Sequence, residues 1–341
     1  NALREAVNSD DFILEAEKIM GCSIEVIAGI EEARLIYLGV SHTLAGDNGR
    51  RLVIDIGGGS TEFIIGERFE PLELESLEMG CVSFNKRYFP EGVITEKNFQ
   101  LAVFGALREL LTIKRTYRQL GWEDCVGASG TIKAVRNACI TLGYATDKVS
   151  ASALQQLKEK ILSYNHVDEI DIEGLKEDRR AVFPAGIAIL SAAFESLGIK
   201  EIRFSEGALR EGLLYDMAGR LRHEDVRERS INAMMQRYRV DQEQAMRVEQ
   251  TALIALTQVR ESWNLDNNEY HNMLSWAARC CETGLTIAHS QYHKHSAYLV
   301  LNSDRPGFTK RQQIQLAAII QGQDLKSTRL NSSHITISYA V

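Results

Sequence analysis

The sequence predicts an α/β region followed by an all-α domain, and three observations carry that expectation. Up to about residue 217, strand-like and helix-like segments alternate. Three Gly-rich turns in this region, GGGST (57–61), GASGT (127–131) and SEGALREG (205–212), each follow a strand-like run. After about residue 218 the strands cease and only helical periodicity remains, the kind of shift that marks a domain boundary.

The elements follow in order. SIEVIAG (23–29) reads as a strand and EEARLIYLGV (31–40) as a helix. RLVIDI, TEFIIGE and LELESLEMG read as strands joined by Gly or Pro turns. A helix over 95–120 starts at Thr95, carries Leu101, Phe104, Leu107 and Leu111 on one stripe, gathers Lys114, Arg115 and Arg118 near its end and stops at Gly121. CVGASG reads as a buried strand running into a turn, and the next helix opens at Ser152 with Gln155 as its capping-box partner. FPAGIAILSAAFESLG (183–198) is apolar almost all round, as a buried helix should be, and EIRFSEGALREGLLYDMA is strand, turn and helix. Four further helical stretches follow, the last opening on a Thr309–Gln312 capping box.

Composition bounds the function. The 341 residues are 45% hydrophobic and 25% charged, ordinary for a chain that buries a core. With 39 basic and 46 acidic residues the net charge is −7, so no nucleic-acid partner is expected and any anion must be held locally. No run of the roughly eighteen apolar residues that a spanning helix needs occurs, nor does a signal peptide, so the cytoplasm is expected, with peripheral attachment at the inner membrane as a variant. The six cysteines lack zinc-type spacing, and adjacent Cys280 and Cys281 are poorly placed to form a disulfide.

The chemistry-bearing stretch is LVIDIGGGSTEFIIG (52–66). Three consecutive glycines cost conformational entropy and pack nothing, so the backbone there has a reason to be bare. A hairpin tip of Gly57, Gly58 and Gly59 can aim N–H groups at a phosphate oxygen, with Ser60 and Thr61 adding hydroxyls. Asp55 and Glu62 at its edges could share a divalent cation with water and phosphate; a Gly-rich turn with solvated acids is the plain alternative. Ser129, Gly130 and Thr131 open a helix with Lys133 close by, and the turn at 205–212 offers Arg210 as a fork for phosphate or ribose. Three such turns point to a cleft between lobes that holds a nucleotide or a polyphosphate.

In this order, GIEEARLIYLGV, VIDIGGGSTEFIIG, MGCVSFNKRYFP, GASGTIKAV, VFPAGIAIL and GALREG resemble the exopolyphosphatase/guanosine pentaphosphatase family over about residues 1–324. The resemblance implies an α/β two-lobed actin-like ATPase (ribonuclease H-like) fold with an all-α HD-like domain behind it. It implies a lobe remnant at 1–36, a second lobe at 37–217 and a helical domain at 218–325. The family's upstream Asp-Leu-Gly-Ser-Asn-Ser turn does not occur, so the first lobe is expected to be incomplete, and KSTRLNSSHITISYAV (326–341) reads as a non-native tail.

By the same resemblance Glu32 is the general base that activates water, and Asp55 and Glu62 handle Mg²⁺. Gly57, Gly58, Gly59, Ser60, Thr61, Ser129, Gly130, Thr131, Arg210 and Arg4 contact phosphate. The implied reaction is release of the terminal orthophosphate from inorganic polyphosphate, with HKHSAYLVLNSDRPGF leaning to the exopolyphosphatase branch. The alternatives are the 5′-phosphohydrolysis of guanosine pentaphosphate, or sensing of either ligand without catalysis. A homodimer is implied. A second metal site from His271, Glu282, His289, His293 and His295 is not expected, because Cys281-Glu282 stands where a relative has His-Glu.

Overall fold

A computed structural model describes residues 8–44, 49–221, 225–265, 267–303 and 305–323; Arg4 and the 326–341 tail lie outside them. By packing, the chain divides into two units, Asn1–Ile24 with Ala28–Glu224 and Glu25–Ile27 with Asp225–Val341.

The first unit is built on a six-stranded mixed sheet. Its strands are β1 (Arg50–Ile56), β2 (Thr61–Glu67), β3 (Glu70–Leu77), β4 (Asp124–Ala128), β5 (Val149–Ser150) and β6 (Glu201–Ser205), in the spatial order β3-β2-β1-β4-β6-β5. β1 runs antiparallel to β2 and parallel to β4, and β4 runs parallel to β6. Side chains alternate across the sheet, so each strand serves two cores. Leu52, Ile54, Ile56, Phe63 and Ile65 face a large core. Val53, Ile64 and Val126 face a smaller one with Ala33, Ile36, Tyr37 and Val40.

The helices of this unit are α1 (Ser9–Met20), α2 (Gly29–Thr43), α3 (Cys81–Tyr88), α4 (Glu96–Leu120), α5 (Gly130–Thr141), α6 (Ala151–Leu162), α7 (Glu177–Arg180), α8 (Phe183–Leu197) and α9 (Leu209–Leu221). The lobe boundary expected after residue 36 falls inside α2, which is continuous and contributes to the smaller sheet core on both sides of that point. SIEVIAG is not a strand: without a sheet edge beside it, only Ile27 forms a bridge, to Thr309. Of the α4 stripe, Leu107 packs partly against the large core while Leu101, Phe104 (64%) and Leu111 (66%) are exposed. Phe99, Ala102, Ala106, Leu110, Ile113 and Tyr117 are buried instead, because alanines let α4 lie closer to its neighbours than leucines would. α6 is capped two residues earlier than expected, by Ser150 accepting from the Ala153 N–H at 3.2 Å.

α2 and α9 cross in close contact. A Cβ on Gly39 would stand 2.0 Å from the Ala208 carbonyl oxygen, and one on Gly212 1.7 Å from that of Leu35. Arg34 locks the pair: its guanidinium donates to both carboxylate oxygens of Glu31 at 2.9 and 2.8 Å and to Asp216 at 2.6 Å, with all three residues buried.

The second unit contains α10 (Val226–Arg237), α11 (Gln242–Val259), α12 (Asn268–Cys280), α13 (Tyr292–Asn302) and α14 (Lys310–Gln321). Trp276 is its centre, packed edge-on to Phe308 at 5.1 Å, beneath the Arg227 guanidinium and donating to Glu228. Among the described residues no group of three or more His, Cys, Asp and Glu side chains is arranged to hold a metal ion. None of the described helices is long and apolar enough to cross a membrane.

Candidate active site at the glycine hairpin

The β1–β2 register sets Ile56 opposite Thr61 and Asp55 opposite Glu62. Both acids therefore point to the face covered by α2. α2 opens at Gly29, which puts Glu31 and Glu32 in its first turn. Glu31 is withdrawn into the Arg34–Asp216 pair, whereas Glu32 is half-buried and near enough to Asp55 to act on its charge. Burial first, then the neighbouring Glu62 and Glu32 carboxylates, hold the Asp55 carboxyl well above the usual carboxylate range.

The tip closes with the Gly57 N–H donating to the Ser60 carbonyl at 2.9 Å. What orients it is α3. The N–H groups of Cys81 and Val82 donate to the carbonyls of Gly57 and Gly58 at 2.9 and 2.8 Å, and that of Ser83 to Gly58 at 3.1 Å. In a trans peptide the C=O and the following N–H point in opposite directions, so the N–H groups of Gly58 and Gly59 are aimed away from α3. The first-turn donors of α3 are thus spent on turning the loop outward, and Gly58 is exposed.

The hydroxyls expected to meet phosphate are used internally. Ser60 donates to Glu62 Oε1 at 2.6 Å, Thr61 donates to the Met79 carbonyl, and Thr131 donates to the Ile56 carbonyl at 2.9 Å. Each of these side chains is buried, so each must find a protein acceptor. In the structure these hydroxyls fix the loops, and the N–H groups of Gly58 and Gly59 face away from α3.

The turn at Ser129–Thr131 ends β4 and opens α5. Ser129 caps the helix by accepting from the Ile132 N–H at 3.4 Å, and Gly130 is exposed. Arg179, from α7, lies against this turn: a Cβ on Gly130 would stand 2.7 Å from its Nη2. Sequence reasoning missed Arg179; its only signal was the Arg179-Arg180 doublet just before VFPAG.

The third turn is filled by its own side chains. Ser205 accepts from the Gly207 N–H at 3.2 Å and Glu211 from the Ala208 N–H at 2.9 Å, so a carboxylate already occupies the start of α9. That contact holds the Glu211 carboxyl below its ordinary value. Arg210 is exposed in the first turn of α9, and Lys133 is paired with Glu206 at 2.9 Å. The structure brings together Glu32, Asp55, Glu62 and the tip 57–61, with 129–131 tied to the end of β1 through Thr131.

Residues 1–221 match the Ppx/GppA phosphatase family, and residues 226–338 match Ppx/GppA phosphatase domain III. The chain belongs to the Ppx/GppA phosphatase family. Similar proteins include the guanosine-5′-triphosphate,3′-diphosphate pyrophosphatases of Photobacterium profundum and Aeromonas hydrophila, 41% and 42% identical over 98% and 94% of this chain. The chain spans 66% and 64% of those relatives' length. Among solved structures, the Aquifex aeolicus Ppx/GppA family member is 26% identical with a TM-score of 0.54, over 64% of this chain and 71% of that one. An exopolyphosphatase from Cytophaga hutchinsonii shares the fold at 24% identity and a TM-score of 0.57, over 63% of this chain and 72% of that one. The mixed sheet with a helical unit after it is therefore the actin-like ATPase fold of the Ppx/GppA family. The lean toward the exopolyphosphatase branch is not supported: these sequence relatives carry the guanosine pentaphosphate name.

Proposed function

We propose that the protein removes the 5′-terminal phosphate of guanosine pentaphosphate, leaving the tetraphosphate. The observation that carries this reading is the separation of two adjacent glutamates, Glu31 bound to Arg34 and Glu32 turned to the Asp55–Glu62 pair. The names of the similar proteins favour the nucleotide over inorganic polyphosphate.

A buried Asp55 whose charging is opposed by the facing Glu62 carboxylate suits a hard cation that takes one or two carboxylates and completes its shell with water and phosphate. Asp55 and Glu62 would hold Mg²⁺, which when bound neutralises charge on the transferred phosphate. The N–H groups of Gly58 and Gly59 bind its oxygens, with Arg179 of α7 beside the Gly130 turn. Glu32 orients the attacking water and takes its proton as the oxygen meets phosphorus, and the phosphoanhydride oxygen leaves with the shortened nucleotide.

Phosphate release from guanosine pentaphosphate and from long-chain polyphosphate, compared on the full-length protein, tests the reading. Higher kcat/KM on the nucleotide is expected, with loss of turnover in Glu32→Gln. Preference for polyphosphate overturns the substrate, and an unchanged rate in Glu32→Gln overturns the catalytic assignment in favour of a sensor.

A further inference from the structure

β3 carries a polar residue where its pattern asks for an aliphatic one. Leu74 and Ser76 share a face of the regularly paired part of the strand, and Leu74 packs with the smaller sheet core. The register sets Ser76 opposite Glu62, as it sets Glu62 opposite Asp55, so Asp55, Glu62 and Ser76 form one row across β1, β2 and β3. Cross-strand partners in such a row present their side chains to the same face. Ser76 Oγ donates to Glu62 Oε1 at 2.8 Å, and Ser60 Oγ donates to the same oxygen at 2.6 Å.

Glu62 is 1% exposed, so its carboxylate has exchanged water for these donors. Two hydroxyls arriving from different directions, one from the hairpin tip and one from the neighbouring strand, fix the plane of the carboxylate. A single donor would leave it free to rotate about that contact. Anchoring Oε1 in this way holds the carboxylate on the strand row that also carries Asp55. Ser60 belongs to the glycine loop, whereas Ser76 is set in the sheet, so Ser76 holds Glu62 from outside the loop.

We propose that Ser76 is a positioning residue that holds the Glu62 carboxylate in the orientation needed beside Asp55. This rests on the reading of Asp55 and Glu62 as the cation-holding pair. A donor that orients a ligating carboxylate typically changes metal affinity or activity by about 10–100-fold when removed. The expected signature is a fall in kcat with little change in KM for the nucleotide, because the substrate-facing N–H groups are untouched.

The test measures Mn²⁺ binding by electron paramagnetic resonance, without substrate, in the full-length protein and in Ser76→Ala, Ser76→Thr and Asp55→Asn. Steady-state kinetics and thermal melting are followed in the same set. The expected result is at least about tenfold weaker Mn²⁺ binding and lower kcat in Ser76→Ala, with both restored by the hydroxyl of Ser76→Thr. Unchanged Mn²⁺ binding in Ser76→Ala, while Asp55→Asn is weakened, overturns the Ser76 assignment alone. A melting shift in Ser76→Ala without a change in Mn²⁺ affinity does the same, by making the residue merely structural. Unchanged binding in Asp55→Asn overturns the cation site on which both readings stand.

Discussion

A methyl group on Gly80 would stand 2.3 Å from the carbonyl carbon and oxygen of Gly58. The approach is backbone to backbone, so no side chain can give way, and it is what lets α3 reach the loop carbonyls. Gly80→Ala is expected to push the tip off its donors while the sheet stays folded. Misplacement of about 1 Å in a binding loop costs on the order of 100-fold in kcat/KM. Kinetics with guanosine pentaphosphate beside a circular-dichroism melt checks this; a near-normal kcat/KM would mean the tip is held by other means.

The adjacent glutamates should separate cleanly by substitution. Glu32→Gln is expected to lower kcat by about 10²–10⁴-fold with little effect on stability. Glu31→Gln removes the charged partner of a buried guanidinium and should cost about 1–3 kcal/mol in denaturant unfolding, since Asp216 remains paired with Arg34. Reversal of the two outcomes would exchange the roles given to them.

Asp55 predicts a pH dependence with a definite sign. Its carboxyl is held above the ordinary range in the folded chain, so folding favours the protonated form. The associated stability is full below about pH 4, where the unfolded carboxyl is also protonated, and is lost as pH rises through the folded value, by up to about 1.4 kcal/mol per pH unit. Without divalent cations, Asp55→Asn should melt higher than the parent chain at neutral pH and alike near pH 4. Equal melting temperatures at both would show that the carboxylate pair carries no such penalty.

The cysteines supply a check on burial. All six are free, Cys22 is exposed and the other five are buried. Burial pushes the Cys280 thiol up to about 12 and the Cys281 thiol to about 11. Titration with a thiol reagent should modify Cys22 alone in the native protein and all six in denaturant. Rapid native labelling of Cys280 or Cys281 would contradict the packing of the helical unit.

The hairpin was legible because Asp55 and Glu62 interrupt two runs whose alternation sets their facing. The α4 stripe was not, since Leu101, Phe104 and Leu111 have the same spacing as the buried set, and only the partner surface chooses between faces. The distinction between Glu31 and Glu32 was invisible locally, because it depends on Asp216, 185 positions beyond Glu31. For the hydroxyls the sequence showed the donors but not their acceptors: burial gives Ser60, Thr61 and Thr131 carbonyl or carboxylate partners within the fold. Ser76 broke a strand pattern without belonging to any motif.

Gly39 lies two helical turns beyond Glu32, about 10 Å along α2, where that helix presses against Ala208 and Gly212. Any side chain there would act as a wedge, and a rigid helix passes a wedge's displacement to its far end. The acceptable size of a residue remote from the phosphate is thus dictated by the distance over which a proton must be transferred, so enlarging Gly39 should cost turnover before it costs folding.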